Sequence, residues 1–218
     1  MNILALDTST AACSVALLAR NEIKTIQQIG LMQQGQLVLP AMESLLTTAA
    51  LTLADLDAIA YGCGPGSFTG LRIASSVVQA LGVAQQLPII RVSSMAALAQ
   101  AAAMHRPATR RVLVALDARM EQIYWAVYQV NTHGDVELIG QEQVSAPEEL
   151  PHIEQIDCGV GDGWSRYDAQ LQNKLSTSPQ LLIGTELPIA PALIKLATLK
   201  FAQHDWIKPA DAVPTYLR

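Results

Sequence analysis

Residues 3–9 read Ile3-Leu4-Ala5-Leu6-Asp7-Thr8-Ser9, and residues 112–117 read Val112-Leu113-Val114-Ala115-Leu116-Asp117. Each opens with a short apolar run that reaches Asp, at Asp7 and at Asp117. After the first run comes the small, hydroxyl-rich stretch Thr8-Ser9-Thr10-Ala11-Ala12 and then a second apolar run over residues 13–19, the pattern of a hairpin. Leu4-Ala5-Leu6-Asp7 and Val114-Ala115-Leu116-Asp117 align at a spacing of 110, and Val15-Ala16-Leu17 then falls on Trp125-Ala126-Val127. A later echo pairs Gly62-Cys63-Gly64-Pro65-Gly66 with Gly159-Val160-Gly161-Asp162-Gly163, each after an expected strand. Two matches in the same order point to an internal duplication, hence to an α/β protein of two related halves, each a mixed sheet flanked by helices.

Outward from the hairpin, residues 23–29 read as a third strand and residues 36–50 as a helix. A buried strand over 58–61 leads into the glycine-rich loop, which opens a long helix over 67–86. Residues 88–92 give another strand and 94–105 another helix. The polar stretch Arg106-Pro107-Ala108-Thr109-Arg110-Arg111 then marks a boundary, after which strands at 112–117 and 122–130 start the pattern again. The expected lobes are residues 1–108, with the hairpin and two long helices, and residues 109–218, a degenerate repeat.

The chain has 218 residues, half of them hydrophobic but only 5% aromatic, so Ala, Leu, Val and Ile carry a packed core. The net charge of −5 supplies no field to hold a phosphate backbone, so any contact with nucleic acid is expected to go through a partner. Cys13, Cys63 and Cys158 lie far apart without a C-x-x-C pair, which fits a reducing compartment and small core side chains. The N-terminus lacks a basic leader and no run of 18 uncharged apolar residues occurs, so neither a secretory signal nor a membrane span is expected, and the location expected is cytoplasmic.

A strand that ends in Asp-Thr-Ser presents a carboxylate, two hydroxyls and turn amides at a sheet edge. Two readings stand for Asp7, Thr8, Ser9, Gly64 and Asp117: a vestigial cradle for phosphate or a hydrated cation, or carboxylates that accept hydrogen bonds from their own turns. The loop Gly64-Pro65-Gly66-Ser67-Phe68-Thr69-Gly70 is no Walker A motif, since no Lys-Ser/Thr follows its last glycine, and Gly70 comes one residue late for G-x-G-x-x-G. Ser67 and Thr69 stand where a helix N-cap belongs. His105, His133, His152 and His204 form no i, i+4 pair, and no metal site is expected. A small-molecule kinase with Asp7 and Asp117 organising magnesium is the alternative reading. A peptidase lacks a nucleophile with a paired base.

The helices are more telling. From Phe68 to Gln86 the only charged side chain is Arg72, and apolar residues, Leu71, Ile73, Val77 and Leu81 among them, cover most of the circumference. In the first helix Leu37, Val38, Leu39, Ala41, Met42, Leu45 and Leu46 likewise exceed one core-facing stripe, with Glu43 the lone charge. A helix apolar on nearly all sides needs cover on nearly all sides, and a partner subunit is the economical source.

Ile3-Leu4-Ala5-Leu6-Asp7-Thr8-Ser9, Gly64-Pro65-Gly66-Ser67-Phe68-Thr69-Gly70-Leu71-Arg72-Ile73, Leu116-Asp117-Ala118-Arg119 and Tyr216-Leu217-Arg218 together make the chain resemble the bacterial TsaB (YeaZ) family over its whole length. The resemblance implies the actin-like, Hsp70-like, sugar-kinase-like fold of two duplicated lobes. It also implies a non-catalytic role in making threonylcarbamoyladenosine, the modified base beside the anticodon of tRNAs reading codons that begin with A. In the family the partner is the paralogue TsaD, which transfers the threonylcarbamoyl group, with the ATPase TsaE joining them and a second copy pairing when TsaD is absent. TsaD carries an H-x-x-x-H metal motif where this chain has Ser94 and Leu98, so no metal and no cofactor is expected beyond weak ATP or ADP binding. The family's partner-binding helices fall on the two over-apolar ones. The resemblance thus implies an interface of Leu37, Val38, Ala41, Met42, Leu45, Phe68, Thr69, Leu71, Arg72, Ile73, Val77 and Leu81. The chain departs from many relatives at Cys63, where they have Arg, and at Gln33, Gln34, Gly35 and Gln36, where they have a His. Some relatives also continue past the position of Arg218.

Overall fold

A computed structural model of the chain describes residues 1–30, 34–182 and 187–217, so Gln33 and Arg218 lie outside the described residues. The elements run β1 (Ile3–Asp7), β2 (Ala12–Ala19), β3 (Glu22–Ile29), α1 (Gln34–Ala49), β4 (Ala58–Gly62), α2 (Phe68–Gln85), β5 (Ile89–Val92) and α3 (Ser94–His105). They continue with β6 (Arg111–Arg119), β7 (Gln122–Val130), β8 (Val136–Ser145), β9 (Cys158–Val160), α4 (Gly163–Gln172), β10 (Gln180–Leu182) and α5 (Ile189–Ala202).

Two five-stranded sheets result, with orders β3-β2-β1-β4-β5 and β10-β9-β6-β7-β8. Read from the opposite edge, the second repeats the first. In both, the central strand pairs antiparallel with the strand after it and parallel with the strand beyond the next crossover. The duplication expected from the Leu-Asp repeats is therefore present in the topology, with one correction of register. Leu4 pairs with Leu17, whereas Val114 pairs with Ala126, so the second strands match at an offset of 109 and not 110. The link between the strands accounts for the missing residue: five residues join the pair Asp117 and Ile123 where six join Asp7 and Ser14. The glycine echo is likewise looser than it reads: Gly62 closes β4 while Gly159 lies inside β9, and what the loops share is a φ of 114° at Gly64 and at Gly161.

The first compact unit comprises Met1–Ala97 and Pro188–Thr215, the second Leu98–Leu187 and Tyr216–Arg218. This corrects the expected division at 108/109. Helix α5 follows the second sheet in sequence but packs on strands β1, β2, β4 and β5 of the first. Its Ile189, Ala190, Ala192, Leu193, Ile194 and Ala197 are buried, and the Ala190 amide donates to Ser14 Oγ at 3.1 Å. Helices α1 and α2 pack on the same sheet through Leu4, Leu6, Val15, Leu17, Ile59 and Tyr61. Strands β1, β2 and β4 are thereby buried throughout instead of alternating, as strands covered on both faces are. Edge strand β3, Glu-Ile-Lys-Thr-Ile-Gln-Gln-Ile, stays exposed or half-buried along its length.

In the second unit, Leu113, Ala115, Ile123, Trp125 and Val127 pack with Trp164, Tyr167 and Leu171 of α4. Gln100 is fully buried because its amide does two jobs: Nε2 donates to Gly134 O at 2.9 Å and Oε1 accepts from the Val136 amide at 3.1 Å. Among the described residues no helix is long and apolar enough to cross a membrane.

Candidate functional site

Asp7 ends β1 with no exposed surface. Its Oδ1 accepts from the Ser9 amide at 2.9 Å and from Ser9 Oγ at 2.8 Å, and Oδ2 accepts from Ser94 Oγ at 3.4 Å. A Cβ built on Gly62 would stand 1.8 Å from Asp7 Oδ2, so backbone also closes over the carboxylate. Burial raises the pKa of Asp7 above the ordinary carboxylate value, while the bonds from Ser9 and Ser94 pull it back. Of the two readings of the Asp-Thr-Ser turn, this is the geometry of the second, a carboxylate engaged by its own turn. Thr8 is committed too: its Oγ1 donates to Gly70 O at 2.7 Å.

Asp117, the counterpart of Asp7 in the second unit, is half-buried. Its Oδ1 accepts from the Arg119 amide at 2.9 Å, its Oδ2 from Arg166 Nη1 at 3.0 Å, and its own amide donates to Asp162 Oδ1 at 2.9 Å. Both Asp residues thus act as turn acceptors, and Asp117 is in addition neutralised by two guanidinium groups. Among the described residues no three of His, Cys, Asp and Glu are grouped to hold a metal ion. Burial pushes the thiols of Cys13 and Cys158 up to about 11, which keeps them protonated and poor nucleophiles.

The glycine loop is built for close approach. Gly64 has a φ of 114°, and Cβ atoms on Gly66 and Gly70 would meet Ser9 O at 2.7 Å and Thr8 O at 1.7 Å. Ser67 caps the helix that follows, its Oγ accepting from the Gly70 amide, and its own amide donates to Ser9 O at 2.8 Å. This stitching fixes where α2 begins and which face it turns outward.

That face carries a shallow groove lined by Gly35, Phe68, Thr69, Arg72, Ile73, Ser76 and Val77. Phe68 is 55% exposed, and the Arg72 guanidinium stacks 3.9 Å from the centre of its ring, as residues four apart on a helix can. The interface expected from sequence divides into three groups. Phe68, Thr69 and Arg72 are exposed; Leu37, Ile73, Val77 and Leu81 are half-buried; Val38, Ala41, Met42, Leu45 and Leu71 are buried in the chain's own core. The last five are corrected to core residues. Two adjacent apolar rows run along α1, and the row through Val38, Met42 and Leu45 is turned onto β2 and its neighbours. Leu39, outside that expected set, faces outward at 52% exposed. Sequence reading also missed Arg91 and Thr215, which grip the glycine loop from the C-terminal side. The glycine at position 64, whose missing Cβ leaves room for Thr215 O, is the one sequence signal near them.

A family model described as TsaD, tRNA N6-adenosine threonylcarbamoyltransferase, matches residues 33–181. The chain is 37% identical over 223 residues to the tRNA threonylcarbamoyladenosine biosynthesis protein TsaB of Escherichia coli (strain K12), covering 100% of this chain and 95% of that protein. It is 36% identical over 229 residues to the TsaB of Haemophilus influenzae, covering 100% and 94%. The solved structure of YeaZ from Pseudomonas aeruginosa aligns with a TM-score of 0.88 at 39% identity over 99% of each chain. Component A of (R)-2-hydroxyglutaryl-CoA dehydratase from Acidaminococcus fermentans, 9% identical, aligns with a TM-score of 0.50 over 93% of this chain and 99% of that one, a likeness of fold alone. The expected actin-like, Hsp70-like, sugar-kinase-like class agrees with the paired mixed sheets and with the YeaZ likeness. Sequence and fold agree from end to end, and the chain belongs to the TsaB (YeaZ) family, within the wider group that the TsaD family model describes.

Proposed function

We propose that this chain is a non-catalytic subunit of tRNA threonylcarbamoyladenosine biosynthesis, the process named in its TsaB relatives. In this reading it binds TsaD through the outer face of α1 and α2. Binding activates TsaD for transfer of the threonylcarbamoyl group to the adenosine beside the anticodon of tRNAs that read A-starting codons. The observation that carries the reading is the outward stripe on α2, where Phe68 and Arg72 stack in the open beside half-buried Ile73 and Val77. An aromatic ring and a guanidinium on a mostly apolar groove are what interface hot spots are made of. Ser94 and Leu98, where TsaD has its metal-binding His pair, are both 1% exposed, and Ser94 is occupied with Asp7 and the Gly64 amide. That supports an accessory role over catalysis. TsaE joins the pair, a second copy takes the same face when TsaD is absent, and tRNA is reached only through TsaD. The subunit brings no cofactor of its own, and its place is the cytoplasm.

The test mixes the purified chain with TsaD from the same source, follows co-elution by size exclusion, and measures tRNA modification with and without the chain. A heterodimer that stimulates modification, lost in Phe68→Asp, is the expected result. Separate elution at micromolar concentration together with unchanged modification defeats the proposal.

A further inference from the structure

The glycine loop between β4 and α2 is held on three sides. The Ser67 amide donates to Ser9 O at 2.8 Å and the Gly64 amide to Ser94 Oγ at 3.1 Å, both from the turn and helix next to β1 and β5. The third hold comes from the far end of the sequence. The Thr215 amide donates to Cys63 O at 2.7 Å, and Thr215 Oγ1 accepts from Arg91 Nη2 at 2.7 Å while lying 3.6 Å from Cys63 Sγ as a donor. Tyr61 Oη donates to Val213 O at 3.0 Å and ties the same strap to β4. The fit is close: a Cβ on Gly64 would stand 2.6 Å from Thr215 O and 3.0 Å from Leu71 Cδ1. Thr215, Gly64 and the first turn of α2 therefore stack directly on one another.

We infer that Thr215 and Arg91 are positioning residues that hold the glycine loop and so set the start of α2, and with it Phe68 and Arg72, for docking of the partner. The inference rests on the reading of α2 as the TsaD-binding element. The physical case is one of connectivity. Phe68 begins α2 five residues after Cys63, too short a link to absorb a shift at Cys63, and the loop between them is glycine-rich and needs outside support to keep one conformation. Arg91 supplies a charged donor from β5, where it lies opposite Tyr61 in register, and a charge-assisted bond outlasts a neutral one at a half-exposed site. The Thr215 side chain reaches both the cation and the loop.

The test uses hydrogen exchange on the isolated full chain and affinity for TsaD, with Thr215→Val, Arg91→Met and the conservative Thr215→Ser. Thr215→Val and Arg91→Met should speed exchange of amides 63–72 by about tenfold, the loss expected from one hydrogen bond to a charged group, and leave amides of β1 and α1 unchanged. Both should weaken TsaD binding by a similar factor, and Thr215→Ser should restore exchange and affinity together. Wild-type exchange in Thr215→Val overturns the proposal, and so does protection lost along the whole chain, which would make the bond a general staple. Faster loop exchange in a protein whose wild type does not bind TsaD upholds the clamp and sinks the docking reading.

Discussion

Asp7 is ionised at neutral pH in an unfolded chain and fully enclosed in the folded one, with three short-range donors in place of water. Because burial raises its pKa, the folded chain holds the proton more tightly than the unfolded chain does. The stability it contributes is then fullest below the unfolded value of 3.8 and declines as pH rises through the folded value. Asp7→Asn, which keeps the shape and removes the charge, should melt at or above the wild-type temperature at pH 8, with the difference closing as pH falls toward 4. Thermal unfolding followed by circular dichroism across that range checks it. A kinase would instead need the Asp7 charge, and ATP turnover abolished by the same substitution would speak for that chemistry. Cys13 and Cys158, both pushed up to about 11, should resist iodoacetamide until denaturant is added, as read by mass spectrometry. Much of this was legible from Asp-Thr-Ser alone, since the turn-bonding reading needs only neighbours in sequence. The contribution of Ser94, 87 residues away, was not, because nothing local marks a serine as the cover of a distant carboxylate.

On α1 and α2 the sequence shows an excess of apolar surface without saying which rows are spent on the sheet. Leu37 and Val38 are neighbours, yet one is half-buried and the other has no exposed surface. The difference is decided by the angle at which α1 lies on β2, which no periodicity records. The two classes should separate under mutation. Leu45→Ala, in the core, should cost about 2–5 kcal/mol of stability and affect binding only through the fold. Phe68→Ala, more than half exposed, should leave the melting temperature nearly unchanged and weaken TsaD binding by about tenfold or more, the mark of a hot spot. Val77→Asp and Leu81→Asp, on half-buried positions packed against the core, should weaken both. Equal melting losses for Leu45→Ala and Phe68→Ala, measured by calorimetry, would show that Phe68 belongs to the fold. At the loop, Gly70→Ala drives a methyl group into Thr8 O and should cost about 1–3 kcal/mol or more by overpacking.

At the level of the molecule, duplication was readable because two Leu-Asp strands fall 110 residues apart, and the repeated strand order bears it out. Edge strand β8, with exposed Leu138 and Ile139 among polar residues, gave too little contrast to be read, and three-residue β10 gave too little length. The return of α5 was invisible for a different reason. Its apolar residues announce burial, but a helix carries no label for the sheet it will cover, and the boundary at Arg106–Arg111 suggested that everything after it belonged together. Removing residues 188–218, of which only 216–218 belong to the second unit, should therefore damage the first unit far more than the second. The truncated chain is expected to lose cooperative melting and to bind the dye ANS, while Trp125 and Trp164 of the second unit keep a native fluorescence maximum.

The same return path governs how the protein is made. Strands β1, β2 and β4 leave the ribosome early, yet the helix that covers one side of them starts about 130 residues after the last of the three, several seconds at ordinary rates of synthesis. The continuous stretch from Leu98 to Leu187 has no such wait. A nascent chain of this kind offers chaperones an oily, half-finished sheet through most of translation, and its birth order runs opposite to its order of completion.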